Sequence, residues 1–274
     1  MARRQPITLQ EAATRLGVHY MTAYRYVRTG RLPAERDGAR WTVDPADVER
    51  LLHPTPRRRR GDAPVDVRAC LEDRLVVGDE PGAWAVVEAA LASGMEPADV
   101  HLELLVPALR SIGDGWAAGR LSVADEHRAS AVAGRLIGRL GPRFARRGRK
   151  RGTVVVGAPA HEEHALPSAI LSDLLRGAGF EVIDLGADTP ATSFAETGAA
   201  ANRLVAVLIA VTGPGRERAV RATVTAIRAA GVTAPVLAGG GAIADEAHAS
   251  RLGADGWSGR DALHALAAVE ALSR

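Results

Sequence analysis

Cysteine is almost absent from this chain of 274 residues, in which Cys70 is the only one. A single thiol excludes an internal disulfide, and it excludes a zinc site or an iron–sulfur cluster built from several cysteines. A metal ion in this protein must therefore be held by histidine or carboxylate side chains, or it must arrive inside a cofactor.

Long apolar runs are also missing. None approaches the roughly 20 residues that a membrane-spanning helix needs, and the N-terminal Met-Ala-Arg-Arg-Gln-Pro lacks the apolar stretch of a signal peptide. With 47% hydrophobic residues, the chain still has enough material for two or three cores. We expect a globular, multidomain, cytoplasmic protein that does not associate with membranes.

Lysine is nearly absent as well, because Lys150 is the only one and arginine carries the rest of the positive charge. The net charge of +3 hides an asymmetry along the chain. Residues 1–60 hold 13 Arg against 6 Asp and Glu, a net charge of +7, and the remainder has a net charge of −4. A basic N-terminal region of this kind favours an anionic partner such as nucleic acid.

The N-terminal region has the pattern of a helix-turn-helix. Residues 7–17 predict a helix that is capped by Thr8 and Glu11, and residues 20–29 predict a second helix that ends at Gly30. Arginine, hydroxyl and aromatic side chains on one helix are typical of a recognition helix. We expect the exposed set of the second helix to be Tyr20, Thr22, Ala23, Arg25, Tyr26 and Arg28.

Residues 31–43 predict two short extended pieces around the turn Asp37-Gly38, and residues 44–48 open a third helix. With Gly30-Arg31-Leu32-Pro33 and the ending Asp-Val-Glu-Arg-Leu, this region resembles the excisionase/MerR type of winged helix-turn-helix. The resemblance implies a DNA-binding domain over residues 1–56. A small protein-binding helical module is the alternative. The residues expected to contact DNA are Tyr20, Thr22, Arg25, Tyr26, Arg28 and Arg40.

Two further domains follow a linker at residues 53–65, which has no apolar period. Apolar residues recur at three and four positions over residues 66–145, with breaks near Gly78, Gly94 and Gly119, which predicts a four-helix bundle. Residues 151–274 alternate apolar strands with helical stretches. They predict a doubly wound, Rossmann-like parallel sheet that binds ligands beyond the carboxyl ends of its strands.

A histidine lies at that ligand-binding edge. His164 follows the first strand, residues 153–158, and Glu162 is placed to orient one of its ring nitrogens. This Glu-x-His loop, followed by a helix and by Gly-rich turns after later strands, resembles the cobalamin-binding Rossmann-like domain. The resemblance implies that His164 ligates cobalt from below. His161 is the rival imidazole, and it occupies a position where the family commonly has Gly.

The resemblance also implies a slot beside the sheet for the nucleotide tail of cobalamin. Gly239, Gly240 and Gly241 match the Gly pair that lets the backbone approach this tail. Read alone, these three glycines are equally a flexible turn between a strand and a helix. Two residues depart from the family pattern: Pro167 replaces a Gly, and Ala210 replaces a Ser whose hydroxyl we expect Thr212 to supply.

Within the bundle, Trp116 is followed after nine intervening residues by Glu126-His127. This spacing resembles the light-sensing, adenosylcobalamin-dependent transcription regulators of the CarH/LitR type. The resemblance implies that Trp116, Val123, Glu126 and His127 surround the adenosyl group. A Trp in the bundle core is the alternative. Better-known members carry a His directly after the Trp, where this chain has Ala117.

The resemblance covers almost the whole chain, and it implies a regulator that binds adenosylcobalamin, assembles as a homotetramer on a DNA operator in the dark and is released by light. The alternatives are a cobalamin or tetrapyrrole sensor that does not use light and a corrinoid carrier subunit for methyl transfer. We expect no enzymatic activity, because the sequence has no nucleophile–base pair, P-loop or metal–water site.

Overall fold

The computed structural model describes residues 6–28, 32–38, 40–52 and 66–273. The side chains of Arg25, Asp37, Arg40, Arg50 and Leu51 lie outside this description, as do the predicted helix end at residues 29–30 and the predicted linker at residues 53–65. The chain forms two compact units, Met1–Pro64 and Val65–Arg274. Among the described residues, no helix is both long and apolar enough to cross a bilayer.

The first unit contains three helices and a three-stranded antiparallel sheet within its described residues. The strands lie in the order β1-β3-β2. The elements are β1 (Ile7–Thr8), α1 (Leu9–Arg15), α2 (Tyr20–Arg28), β2 (Glu35–Asp37), β3 (Arg40–Val43) and α3 (Pro45–Leu52).

The predicted turn chemistry of this unit is present. Thr8 and Glu11 form a reciprocal capping box, in which the Thr8 N–H donates to the Glu11 carboxylate at 2.8 Å and the Glu11 N–H donates to Thr8 Oγ1 at 3.2 Å. Gly38 takes φ +59° between β2 and β3, which pair as the predicted hairpin. The sequence pattern missed β1, because its pairing of Ile7 with Val43 joins residues far apart in the chain.

One prediction about α2 is wrong. Ala23, expected to be exposed, is fully buried, and Tyr20 and Tyr26 are half-buried against the same small core. A helix of nine residues needs an apolar stripe at intervals of three and four residues, and Ala23 and Val27 belong to that stripe. Arg28 is exposed, as expected.

The second unit begins with a group of helices, which we call the cap. These are α4 (Val67–Val77), α5 (Glu80–Ala92), α6 (Pro97–Asp99), a π-helical segment (Val100–Leu105), α7 (Val106–Ala117), α8 (Val123–Leu140) and a 3₁₀ turn (Gly141–Phe144). The breaks fall where the glycine pattern predicts them. Gly78 closes α4 with φ +80°, and Gly119 takes φ +71° between α7 and α8.

A five-stranded parallel sheet follows, with strand order β5-β4-β6-β7-β8. Its strands are β4 (Thr153–Gly157), β5 (Glu181–Asp184), β6 (Leu204–Ala210), β7 (Val236–Gly239) and β8 (Gly256–Trp257). Its helices are α9 (Leu166–Gly177), α10 (Ala191–Ala200), α11 (Glu217–Ala229), α12 (Glu246–Arg251) and α13 (Ala262–Leu272). The mixed α/β fold with a parallel sheet that the sequence predicts is therefore present.

The order of the strands locates the place where this fold binds ligands. From β4 the chain moves outward to β5 and then returns to β6 on the other side of β4. The loops after β4 and β6 thus diverge at a topological switch point, which in open α/β sheets opens a crevice at the carboxyl ends of the strands. Glu162 and His164 lie in the first of these loops, and Thr212 lies in the second.

The cap packs directly on α9. Its core is continuous with Ile170 and Leu174 of this helix. A buried polar contact joins the same two elements, because Nε2 of His101 in the π-helical segment lies 3.0 Å from Oδ2 of Asp173. The His101 ring also stacks on Phe144 at 5.0 Å between centroids. The helix that follows the His164 loop is therefore held by the sheet on one side and by the cap on the other.

Candidate functional site

Glu162 is the fixed point of the loop after β4. Its side chain is fully buried, whereas the side chain of His164 is 55% exposed. Oε1 of Glu162 lies 2.5 Å from Nδ1 of His164 and also accepts the backbone N–H of His164 at 3.2 Å. The orientation that the sequence predicts for this pair is present. The contact fixes the ring through Nδ1 and leaves Nε2 as the nitrogen that can bind a ligand.

The second oxygen of the Glu162 carboxylate contacts the loop on the other side of the switch point. Oε2 of Glu162 accepts the backbone N–H groups of Thr212 at 2.8 Å and of Gly213 at 2.7 Å, both in the loop after β6. One buried side chain therefore connects the two loops that the topology separates. The sequence reasoning missed the Thr212 and Gly213 amides, because a backbone donor has no signature in side-chain spacing.

These contacts determine the charges of the pair. Burial alone would raise the pKa of Glu162, but hydrogen bonds from the His164 ring and from the three backbone amides outweigh it and lower this pKa from 4.5 to about 2. The hydrogen bond to Glu162 raises the pKa of His164, and burial opposes this shift. The site thus combines a carboxylate that stays ionised with an imidazole whose basicity is increased.

His161 has a conformational role at this edge. Its φ of +69° lies in the left-handed region that favours glycine, which gives a physical reason for the family's preference for Gly at this position. Its N–H donates to Oδ1 of Asp188 at 2.6 Å. Its side chain is exposed. Pro167 lies in the first turn of α9, where proline is tolerated.

The predicted cofactor-contacting residues of the cap lie at the end of α7 and the start of α8. Trp116 is 49% exposed and Val123 is 54% exposed, so neither side chain belongs to the core of the cap. The His127 side chain is 74% exposed, and its Nε2 lies 3.6 Å from the Glu126 carboxylate. The hydrogen bond to Glu162 is the main cause that raises the pKa of His164, and the charge of Glu126 adds a smaller contribution in the same direction.

The glycines after β7 differ in what they require. A Cβ on Gly239 would lie 2.2 Å from Oγ of Ser258, and a Cβ on Gly240 would lie 2.4 Å from the carbonyl oxygen of Val211. Gly240 also has φ +109°. Gly241 is exposed, and the nearest atom to its Cβ position is 3.7 Å away. Gly239 and Gly240 therefore permit close packing at the strand ends, and only Gly241 has room for a Cβ at an ordinary van der Waals distance.

The predicted DNA-contacting residues belong to the first unit. Tyr20, Thr22, Tyr26 and Arg28 are all on α2, and Thr22 is partly exposed. The side chains of Arg25 and Arg40 lie outside the described part of the structure. Contact with DNA by these residues stays a prediction.

Family models match three parts of the chain. A helix-turn-helix domain model matches residues 7–53. Two different B12 binding domain models match residues 67–140 and residues 152–267. Together with the fold and the geometry at His164, these matches fit a cobalamin-binding protein with a helix-turn-helix domain.

The chain is similar to named corrinoid proteins. It is 28% identical over 134 residues to trimethylamine corrinoid protein 1 of Methanosarcina acetivorans, a match that covers 48% of this chain and 62% of that protein. It is 29% identical over 177 residues to the dimethylamine corrinoid protein of Methanosarcina barkeri, covering 62% of this chain and 74% of that protein. Both relatives are named as corrinoid proteins.

A solved structure has the same fold. The monomethylamine corrinoid protein of Methanosarcina barkeri superposes with a TM-score of 0.65 at 17% sequence identity, covering 76% of this chain and 100% of that chain. The chain spans 62% of the length of the trimethylamine corrinoid protein that it matches. In the structural superposition it covers the whole chain of the monomethylamine corrinoid protein.

The residues at the switch point fit the cofactor that these domains indicate. His164 has one ring nitrogen engaged by a buried carboxylate, which leaves the other for a metal. Gly239 and Gly240 let Ser258 and the backbone of Val211 pack closely at the neighbouring strand ends. A hydroxyl of α9, Ser168 Oγ, is buried there without a hydrogen-bond partner. A corrinoid cofactor at this edge would be held by Nε2 of His164, and its metal would come within the cofactor.

The first prediction concerns the Glu162 bridge. Glu162→Gln places an amide NH₂ among backbone donors, so at least one of the hydrogen bonds that Glu162 accepts is lost. We expect the free energy of unfolding to fall by about 1–3 kcal/mol near neutral pH, measured by urea denaturation. Glu163→Gln, which changes the exposed neighbour, is the control and should have little effect.

The pH dependence of this difference has a defined sign. Because folding lowers the pKa of Glu162 from 4.5 to about 2, its ionisation stabilises the fold fully above pH 4.5 and loses this effect as the pH falls towards 2. The difference between wild type and Glu162→Gln should therefore shrink on acidification through that window. A difference that stays constant would mean that the charge of Glu162 does not matter.

The second prediction separates the glycines. Gly240→Ala introduces both a steric contact and a strained φ, so we expect it to lower the free energy of unfolding by about 2 kcal/mol or more. Gly241→Ala should change it by less than about 0.5 kcal/mol. Equal effects in urea denaturation would contradict the assignment of Gly240 to close packing.

Proposed function

We propose that this protein is a DNA-binding transcription regulator whose oligomeric state is controlled by adenosylcobalamin and light. The proposed domains are a winged helix-turn-helix at residues 1–56, a four-helix-bundle cap at residues 66–145 and a Rossmann-like cobalamin-binding domain at residues 151–274. The helix-turn-helix match and the net charge of +7 over residues 1–60 support a DNA operator as partner.

The observation that carries the proposal is the Glu162–His164 pair at the switch point. A carboxylate that engages Nδ1 at 2.5 Å is the arrangement that orients a metal-binding histidine. His164 would be the lower ligand of cobalt, with the nucleotide tail of the cofactor displaced from the metal. Thr212 and the glycines at residues 239–241 lie at the same edge of the sheet and would contact that tail.

The cap supports the adenosyl form of the cofactor. The exposed Trp116 and Val123 offer an apolar surface at the end of the cap whose Glu126 influences His164. An indole face suits a flat adenine group, and Glu126 and His127 supply polar partners. Adenosylcobalamin, when bound, brings a cobalt–carbon bond that light breaks.

Assembly follows from what the cap and the sheet share. When adenosylcobalamin is held between Trp116 and His164, the cap and the sheet contact one ligand, and the arrangement that forms the homotetramer is favoured. Linked helix-turn-helix units then bind an operator with multiplied affinity. Loss of the adenosyl group removes this preference, so the oligomer and DNA affinity fall together.

Two alternatives each have an observation in their favour. The corrinoid names of the relatives favour a carrier subunit for methyl transfer. The separate unit Met1–Pro64, which contains the helix-turn-helix match, counts against a carrier. Ala117, in place of an upper-ligand histidine, favours a cobalamin or tetrapyrrole sensor that does not respond to light.

The test is size-exclusion chromatography of the purified protein with adenosylcobalamin, first in the dark and then after illumination, with cobalamin absorbance followed across the protein peak. We expect a large coloured species that becomes smaller in light. Trp116→Ala should retain the corrinoid but lose the large species, because the cap no longer contacts the adenosyl group.

Methylcobalamin is the matched control, since it has the same corrin without the adenosyl group, and it should bind without producing the large species. Binding of adenosylcobalamin with no change in size on illumination would contradict the light response. A large species that persists in Trp116→Ala would contradict the role of this tryptophan.

A further inference from the structure

Ser168 is a buried polar side chain that nothing in the fold satisfies. It is fully buried in the first turn of α9, four residues after His164, and its Oγ has no hydrogen-bond partner within the described residues. An unsatisfied buried hydroxyl destabilises the folded state. A ligand that forms a hydrogen bond with this hydroxyl would remove that destabilisation.

The sheet opposite Ser168 ends in a row of small residues. The strand register pairs Gly157 with Ile209 and Ala210 with Gly239, so Ala158, Ala210 and Gly239 lie side by side at the carboxyl ends of three strands. Side chains alternate between the faces of a strand. This row therefore continues the face of the sheet that presents the core residues Val156, Leu208 and Leu237.

The helix α9 covers that face. Leu171 and Leu175 of α9 belong to the same core cluster as Val156 and Leu208. Ser168 lies three residues before Leu171 and so shares its face of the helix. Because α9 starts where β4 ends, Ser168 lies at the level of the small-residue row, below the loop that carries His164.

Ser172 shows what a structural serine on this face looks like. It is also fully buried, but its Oγ donates to Oδ2 of Asp184 at 3.0 Å. Thr212, the hydroxyl expected to replace the one missing at Ala210, is exposed on the loop after β6. Within the described residues, Ser168 is therefore a buried serine near this row whose hydroxyl has no hydrogen-bond partner.

We propose that the Ser168 hydroxyl is the hydrogen-bond partner of the nucleotide tail of cobalamin, which would enter between α9 and the carboxyl ends of β4 and β6 at Ala158 and Ala210. This assignment rests on the proposed function, because only a cofactor whose cobalt is bound by His164 has a displaced tail. The tail carries heteroaromatic nitrogen, ribose hydroxyl and phosphate groups, each of which can accept a hydrogen bond from a serine.

The test compares two ligands and two variants in the dark. Adenosylcobalamin has the nucleotide tail, and adenosylcobinamide has the same corrin and upper group without it. Ser168→Ala should weaken binding of adenosylcobalamin by roughly fivefold, the effect of one net hydrogen bond, and leave binding of adenosylcobinamide unchanged in absorbance titrations. Ser172→Ala should leave the affinity for both ligands unchanged.

Stability without cofactor gives the second readout. Ser168→Ala removes a hydroxyl that has no partner, so the thermal midpoint of the cofactor-free protein should stay the same or rise. Ser172→Ala removes a satisfied hydroxyl and should lower this midpoint. If Ser168 had only a structural role, its replacement would not leave the thermal midpoint unchanged and also lower the affinity for adenosylcobalamin alone.

The outcomes separate the two proposals. If wild-type protein binds adenosylcobalamin and Ser168→Ala binds it equally well, the Ser168 assignment is wrong and the proposed function stands. An equal loss for both ligands also overturns the assignment, since the tail is then not involved. If wild-type protein binds neither ligand, the proposed function fails, and the Ser168 assignment fails with it.

Discussion

A single buried carboxylate organises the ligand-binding edge of this protein. The sheet topology separates the loops after β4 and β6, and Glu162 joins them again by accepting two backbone N–H groups from one loop while it holds the imidazole of the other. An amide at this position would bring donors towards donors. An aspartate, whose side chain is one methylene shorter, would lose part of this set of contacts. The position of His164 therefore follows from the burial and ionisation of Glu162.

The same loop leads into the helix that connects sheet and cap. α9 begins two residues after His164, contributes to the core of the cap through Ile170 and Leu174, and accepts the buried contact of His101 through Asp173. A ligand that moves the His164 loop would therefore act on a helix that both layers share. This arrangement gives a physical route by which the occupancy of one site can bias how the cap packs, as the proposed regulation requires.

The sequence predicted the parts of this structure that depend on local patterns. The five strands, the breaks between the cap helices and the capping box of Thr8 and Glu11 follow from apolar periods and cap chemistry. The Glu162–His164 contact was also predictable, because the two residues are only two positions apart in the same loop. In contrast, β1 and the amides of Thr212 and Gly213 depend on contacts between distant segments, which no local pattern encodes.

Two other residues show a different limit of sequence reasoning. Ala23 has no polarity that would reveal its orientation, so its burial depended on the choice of the apolar stripe of α2. Ser168 resembles any serine in the first turn of a helix. Only the packing of α9 on the sheet shows that its hydroxyl is buried without a partner while that of Ser172 is satisfied.

The central claim is that His164, held by Glu162, is the nitrogen ligand of cobalt. Electron paramagnetic resonance of the bound cobalt(II) form of cobalamin tests it most directly, with protein prepared from ordinary histidine and from histidine labelled with heavy nitrogen. The account predicts that labelling changes the splitting from the axial nitrogen, that the change is retained in His161→Ala and that it is lost in His164→Ala. A splitting that is unaffected by the label would show that the cofactor's own base remains on cobalt, and it would contradict the account.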